Sequence, residues 1–521
     1  MTKKHLALLA VIFLASFATY SLTARALSYH VVLNDFWTVF YYARNMDISI
    51  PESLQNSLFP VGYASLLHLM PVRHTLWMAF YLNVGLASLA VTAASALALT
   101  GNNPAPLRRG DFSWRAALVG LVAIFYPLTF RYANTTGPDI GVATFIALGL
   151  YFLWRNELAP SQSPQNSPER GILGRGDVLA GACLGLASLW RSHAIVAGIV
   201  ILLFYAGVMG VKTLWRRKSL WVTFLFVAGI QVLVNLISGH SIIENAQYFN
   251  IYKTFFGNDW LTVPEQANDS LLSLLFSNPG AFFDEYAPQV WKVLLYAWPS
   301  VPLYFVSREQ SLKRFAAFSG LVILLYSFPV AFGSSPRAPI AITPLAFVAF
   351  GFLVSESWAR LAGKPILRLA ALAAFAAGLA WFGWQWYQTN TQFVTDFSDR
   401  HERFLRIERK LRRLGLASPD EVFTNNYNFY LPVTPPHYPR SNGGWDVTVT
   451  WNFRAEYPEL PIETWEAFAA ACRAQGVRYL VLSPYSYELA PYFGDLYTGT
   501  FVPEGIEILG FDGNYQLILV K

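Results

Sequence analysis

The residues of this chain that could do chemistry stand at the ends of its apolar runs. Asp35 lies in VVLNDFWTVFYYARNM, Val31 to Met46, one carboxylate in front of an aromatic-rich stretch just after the first such run. Asp139 sits in TTGPDIG, and Arg191 and His193 share LWRSHAI. Arg337 occupies the turn GSSPRAP, while Lys253 is isolated in a long segment that also holds Tyr248, Phe249, Tyr252 and Trp260. Carboxylates and guanidiniums are what proton transfer and anion binding require. Each residue also has a plainer reading. Asp35 can cap a short helix, and Asp139, after Pro138, can open one or contact an acceptor group or an ion. Arg191 and Arg337 can stretch along lipid to reach head groups, His193 can be structural, and Lys253 can pair with Glu244 or Asp259. The four aromatics suit ring stacking, although Trp and Tyr also gather at membrane interfaces.

Several familiar chemistries have no motif here. There is no Walker loop, no G-x-G-x-x-G after a strand, no D-x-D, no H-E-x-x-H and no G-x-S-x-G elbow. Nucleotide-fuelled chemistry is thereby disfavoured, and a site facing away from the cytoplasm would find little nucleotide to use. A lipid-linked activated substrate delivered within the bilayer meets that constraint. The two cysteines, Cys183 in an apolar run and Cys472 in the polar tail, define neither a disulfide framework nor a metal site.

The elements that must position these residues are membrane helices. Of 521 residues, 54% are hydrophobic and 13% charged, about half the usual charged share. The net charge of +6 falls in short Lys/Arg clusters between apolar runs, a pattern of topology that points away from nucleic acid as a partner. Runs read at 6–24, 76–100, 116–132, 139–154, 177–190, 194–211, 219–238, 289–306, 315–332, 338–355 and 369–388, eleven in all. The fifth is the weakest, and losing it would invert everything after it. With the N terminus inside, every inner loop carries at least two Lys or Arg. The longer outer loops hold only Arg25, Arg44, Arg73, Arg131, Arg191, Lys253 and Arg337, apart from Lys292 at the start of a span. The start, MTKKHLALLAVIFLASFATYSLTARALS, has the features of a signal peptide, with an A-x-A-like end at Ala24 to Ala26. Its apolar run is long enough to stay as an uncleaved anchor, which is the preferred reading.

Three outer regions follow from this sidedness, at about 25–75, about 239–288 and from about 389 onwards. In the first, Phe36, Val39, Phe40 and Ala43 share one helical face, and FPVGYASLLHLM is similarly apolar. Neither can span, so both are expected along the lipid interface, as is SLLSLLF in the second region. APSQSPQNSPERG reads as a flexible inner linker. The tail reads as a small α/β domain. A charged helix, SDRHERFLRIERKLRRLG, ends at Gly415 before the strand EVFTNN, and PIETWEAFAAACRAQG ends at Gly476 before VRYLVLS. GIEILGF, DGN and YQLILVK suggest a closing hairpin. The expected fold is mainly α: a polytopic transmembrane bundle of about eleven spans over 1–388, with interfacial helices in its first outer loop, and an extracytoplasmic α/β domain over 389–521.

The order and sidedness of these parts resemble superfamily C of the integral membrane glycosyltransferases (GT-C), which use polyprenyl-phosphate sugars and include protein O-mannosyltransferases and bacterial aminoarabinose transferases. The resemblance is carried by Asp35 in NDFWTVFYYARNM, by NSLFPVGYASLLHL, YANTTGPDIGVATFIALGLYFLWR and GACLGLASLWRSHAI, and by SSPRAPIAITPLAFV. It implies that Asp35 takes the proton from an acceptor hydroxyl as it attacks the anomeric carbon, with inversion. Arg337 and Arg191, with His193 and Lys253 as further contacts, would meet the departing polyprenyl phosphate. Tyr248, Tyr252 and Trp260 would stack on sugar, and Asp139 would serve as a secondary acid or acceptor contact. The implied partners are a polyprenyl-phosphate-linked sugar donor, a glycan, lipid or protein acceptor, and membrane lipid, at the outer face of a prokaryotic cytoplasmic membrane. Relatives often show two adjacent acids in the first loop, whereas Phe36 follows Asp35 here; this counts against a metal-assisted variant, no cofactor is firmly implied, and a divalent metal stays open without being indicated. Two other classes stay open. A transporter or flippase of a lipid-linked saccharide would place binding groups near the bilayer midplane, and an envelope-assembly scaffold would not need Asp35.

Overall fold

The computed structural model describes residues 2–26, 36, 39–40, 42–43, 46–54, 60–71, 75–100, 113–155, 157–158, 174–239, 273, 276, 279–331, 337–361, 363–426, 429–432, 440–441, 460–461, 463–484 and 491–521. Asp35, Tyr248, Phe249, Tyr252, Lys253 and Trp260 lie outside these described residues. The chain divides into two compact units. One comprises Met1–Ala26, Asp47–Leu66 and Trp77–Thr391, and the other Leu27–Met46, Leu67–Leu76 and Gln392–Lys521.

The first unit is built from helices: α1 (Lys3–Ala26), α2 (Val61–His68), α3 (Thr75–Ala98), α4 (Ser113–Phe125), α5 (Pro127–Ala133), α6 (Asp139–Trp154), α7 (Arg175–Trp190), α8 (His193–Met209), α9 (Lys218–Ile237), α10 (Ala287–Leu294), α11 (Ser300–Val306), α12 (Gln310–Ala331), α13 (Thr343–Arg360) and the start of α14 (Pro365–Arg413). Helix is the form an apolar run must take where no water satisfies its backbone. Five of these, α1, α3, α9, α12 and α14, are long and apolar enough to cross a membrane. The pair α4–α5, bent by 63°, makes a sixth if it is one span; Pro127 at the bend lacks the N–H that would continue the ladder. This is a multi-pass membrane protein, and five or six of its helices among the described residues are long and apolar enough to cross a membrane. α6 and α8 have 16 and 17 residues, about 24–26 Å of helix against a hydrocarbon core of about 30 Å.

Short as they are, α6 and α7 run between two charged clusters. At one end Arg217 Nε donates to Asp177 Oδ1 at 2.8 Å, Arg217 Nη1 lies 3.7 Å from Glu157, and Tyr205 donates to Glu157 at 3.1 Å. Asp177 sits in the first turn of α7, and Glu157 just follows α6. Their opposite ends carry Arg191 and Asp139. The weak fifth run is therefore a helix that reaches as far as its stronger neighbour α6. Close packing holds it there: a Cβ on Gly181 would lie 2.1 Å from the Leu220 carbonyl oxygen of α9, and one on Gly185 would lie 2.7 Å from Val227 Cβ. Small residues let helix backbones approach where lipid supplies no hydrophobic drive.

Of the three stretches expected along the lipid interface, SLLSLLF lies outside the described residues except at 273 and 276, and the other two have buried apolar faces. Phe36, Val39, Phe40 and Ala43 are all buried, and so are Val61, Tyr63, Ala64 and Leu67 along α2. A Cβ on Gly62 would meet the Leu189 carbonyl oxygen at 2.5 Å, so α2 is pressed against the end of α7.

Near the tail, the last apolar run and the charged helix are one continuous helix. α14 has 49 residues because no Gly or Pro follows Gly383 until Gly415. It ends where Gly415 turns to φ +96° and Leu416 N–H bonds back to Leu411 O at 3.0 Å, an αL termination. The second unit holds a five-stranded mixed sheet in the order β2-β1-β3-β5-β4, from β1 (Val422–Thr424), β2 (Arg440–Ser441), β3 (Tyr479–Leu482), β4 (Ile506–Asp512) and β5 (Tyr515–Val520). β1 is parallel to both β2 and β3, and β3, β5 and β4 are successively antiparallel. Alternation along β3 separates two cores. Tyr479 and Val481 pack with Phe404, Ile407 and Leu411 of α14, while Leu480 and Leu482 pack with α15 (Trp465–Ala474) and α16 (Pro491–Thr498).

Replacing Gly181 by Val should lower the melting temperature of the detergent-solubilised protein, since overpacking costs about 1–3 kcal/mol. Gly207→Val, where nothing lies within 4 Å of the added Cβ, should leave it nearly unchanged.

Candidate functional site

Three helix ends and one turn bring Asp139, Arg191 and Arg337 together. Asp139 is the first residue of α6, after the turn Asn134–Pro138. An acid is favourable there because the helix N-terminus is electropositive. Its carboxylate, however, faces guanidiniums: Arg191 Nε donates to Oδ1 at 3.1 Å and Arg191 Nη2 to Oδ2 at 3.3 Å, while Arg337 Nη1 lies 3.6 Å from Oδ2. Opening the helix is thus only part of what this aspartate does.

Arg191 follows the last residue of α7, where its extended backbone turns the chain into α8. The side chain is buried, which removes the reading in which it reaches out to lipid head groups. Its placement depends on Trp190. A Cβ on Gly141 would fall 2.1 Å from Trp190 Nε1, so the first turn of α6 admits the indole only because residue 141 has no side chain. Tyr63 of α2 and Phe145 of α6 pack on the same ring, with centroids 5.6 and 5.0 Å away. Held by these contacts, Trp190 delivers the next residue to Asp139. Arg337 comes from the other side, immediately before the 3-10 helix Ala338–Ala341 that leads into α13. Its side chain is 28% exposed against 4% for Asp139, so it forms the accessible edge of the cluster.

Electrostatics gives the arrangement its chemical character. Among the described residues two guanidiniums face this one carboxylate, in a region where water is scarce and charge interactions are strong. His193, at the start of α8, lies in the field of all three groups. So does Tyr132 of α5, and Tyr63 senses Asp139. Four sequence-derived candidates therefore converge: Asp139, Arg191, Arg337 and His193. Among the described residues no three metal-ligating side chains form a group.

Asn83, in α3, was not singled out from the sequence. It is buried and donates from Nδ2 to the carbonyl oxygens of Thr135 at 2.6 Å and Gly137 at 3.0 Å, gripping the turn that leads to Asp139. Its signal was a lone amide within an apolar run, a feature that seldom lacks purpose in a membrane helix. Around it, Asn83 Oδ1, Asn134 Oδ1, Thr136 Oγ1 and Trp190 Nε1 are buried without a hydrogen-bond partner among the described residues.

No protein-family model matches the chain, and no curated protein does either. Solved structures do. The chain is similar to ArnT from Cupriavidus metallidurans bound to undecaprenyl phosphate, with a TM-score of 0.52, 14% identity, and coverage of 98% of this chain and 97% of that one. Against ArnT in the apo state the TM-score is 0.50, with 15% identity and 98% of each chain covered. The Archaeoglobus fulgidus oligosaccharyltransferase in its apo form gives 0.49 at 12% identity, covering 95% of this chain and 72% of that one. The likeness is one of fold: over nearly its whole length the chain folds as ArnT does.

Asp139→Asn should destabilise the protein, since removing one partner of a buried pair costs about 3–5 kcal/mol. The double variant Asp139→Asn/Arg191→Gln should recover part of that loss, because no buried cation is then left facing a neutral amide. Thermal melting of the wild type, both single variants and the double variant measures the coupling.

Proposed function

We propose that the chain is an integral membrane glycosyltransferase that moves a sugar from a polyprenyl-phosphate carrier to an acceptor at the outer face of the membrane. The observation that carries this reading is the Arg191–Asp139–Arg337 cluster, set at helix ends in a chain with the fold of ArnT. ArnT has been crystallised with undecaprenyl phosphate, a ligand whose phosphate such a cluster suits. A departing lipid phosphate gains negative charge in the transition state, and fixed cations nearby lower that barrier. Arg337, the more exposed guanidinium, makes the phosphate contact. Arg191, bidentate on Asp139, keeps the carboxylate in place.

Asp35 acts in this reading as the general base. It accepts the proton of the acceptor hydroxyl while the oxygen attacks the anomeric carbon from the face opposite the phosphate, which inverts the configuration. His193 and Lys253 supply further positive or hydrogen-bonding contacts, and Tyr248, Tyr252 and Trp260 stack on the sugar. Charges gathered at the ends of α6 and α7 support an enzyme over a transporter, whose binding groups would stand near mid-helix.

Asp35→Asn should reduce sugar transfer by about 10²–10⁴, the usual worth of a general base, with membrane insertion and melting temperature kept. Turnover close to wild type would remove Asp35 from the mechanism. Arg337→Ala should raise the lipid-donor concentration needed for half-maximal rate, in an assay of purified protein against a panel of polyprenyl-phosphate sugars. An unchanged donor dependence would return Arg337 to a purely structural role.

A further inference from the structure

We propose that Asn83 is a positioning residue for the donor phosphate: it fixes the turn from which Asp139 presents Arg337 to the carrier. This rests on the phosphate-binding reading above. Between the end of α5 at Ala133 and the start of α6 at Asp139, the backbone leaves one helix and has not yet joined the next. Its carbonyls therefore need hydrogen-bond donors from elsewhere in a region with little water. Asn83 supplies them, because one side-chain amide nitrogen forks between Thr135 O and Gly137 O. A leucine of similar size would strand both carbonyls, and buried unsatisfied groups of that kind drive local rearrangement.

The backbone of the same turn is set at a second point. Gly137 has φ +141°, a conformation open to glycine and strained for any side chain, and Pro138 then fixes the approach to the helix. Asp139 is two residues beyond Gly137, so any shift of the turn moves its carboxylate. The consequence is unequal for the two arginines. Arg191 holds Asp139 with two hydrogen bonds, while Arg337 makes a single approach at 3.6 Å. Displacement of the carboxylate therefore weakens its contact with Arg337 before its contact with Arg191, and Asn83 acts on the phosphate through that contact without touching it.

The test is binding of undecaprenyl phosphate to the purified full-length protein in detergent, followed by ligand-dependent shifts in melting temperature, for wild type, Asn83→Leu and Gly137→Ala. Misplacement of this order changes binding or rate by roughly tenfold to a hundredfold. The apparent Kd for undecaprenyl phosphate is expected to rise by that factor in both variants, which a merely structural contribution would not do. A folded Asn83→Leu protein with the wild-type Kd overturns the inference, even if its ligand-free melting temperature falls. Should Asn83→Leu fail to fold, Gly137→Ala decides on the same terms. Wild-type protein that undecaprenyl phosphate does not stabilise removes the phosphate reading itself, and this inference with it. Stabilisation of the wild type that both variants retain removes only the inference.

Discussion

A carboxylate buried inside a membrane unit must be paired, because the transfer of an isolated charge out of water costs far more than a folded protein can spare. Asp139 meets that constraint with two guanidiniums, and much of the local structure follows from bringing them to it. Arg191 has to leave α7 at its last turn, Trp190 has to fit against the bare backbone at Gly141, and Arg337 has to arrive from the segment before α13. The pairing that permits Asp139 to be buried also gathers two guanidiniums in one place, which is the ground for the phosphate-binding proposal.

The second charged cluster, around Arg217, Asp177 and Glu157, does a different job. Together the two clusters fix the longitudinal register of α6 and α7, since each helix has a charged partner waiting at either end. A slide of one helix by a turn would bury several unpaired charges at once. Helices too short to span on hydropathy can be held in this way, with the lipid-facing length supplied by longer neighbours such as α9 and α12. Glycines at 181 and 185 add a geometric lock by letting α7 and α9 approach to backbone distance.

Much of this was legible in the sequence, for identifiable reasons. The C-terminal helices announce their ends through Gly415 and Gly476, and both adopt positive φ. The turn between β4 and β5 is written in Asp-Gly-Asn, and Gly513 has φ +60°. Sidedness drawn from Lys and Arg placed Arg191, Arg337 and Asp139 at one boundary, and the structure brings those three into contact. Other features were invisible. Hydropathy registers apolar runs but not the length of the helix each one forms, as in α6 and α8. Burial of the Phe36, Val39, Phe40 and Ala43 face could not be told from lipid exposure, since protein interior and lipid favour the same residues. The continuity of α14 was missed because its composition changes from apolar to charged while its backbone does not break. Asn83 went unnoticed because its partners are main-chain carbonyls some fifty residues away, which no local pattern encodes.

A structure of the protein with undecaprenyl phosphate bound tests the role of the Asp139–Arg337 pair most directly. The expected result is a phosphate oxygen within about 3.2 Å of an Arg337 nitrogen, the spacing of a charge-assisted hydrogen bond, with Arg191 still bidentate on Asp139. A phosphate seated elsewhere, with Arg337 left on Asp139 and the cluster closed to the lipid, would contradict it.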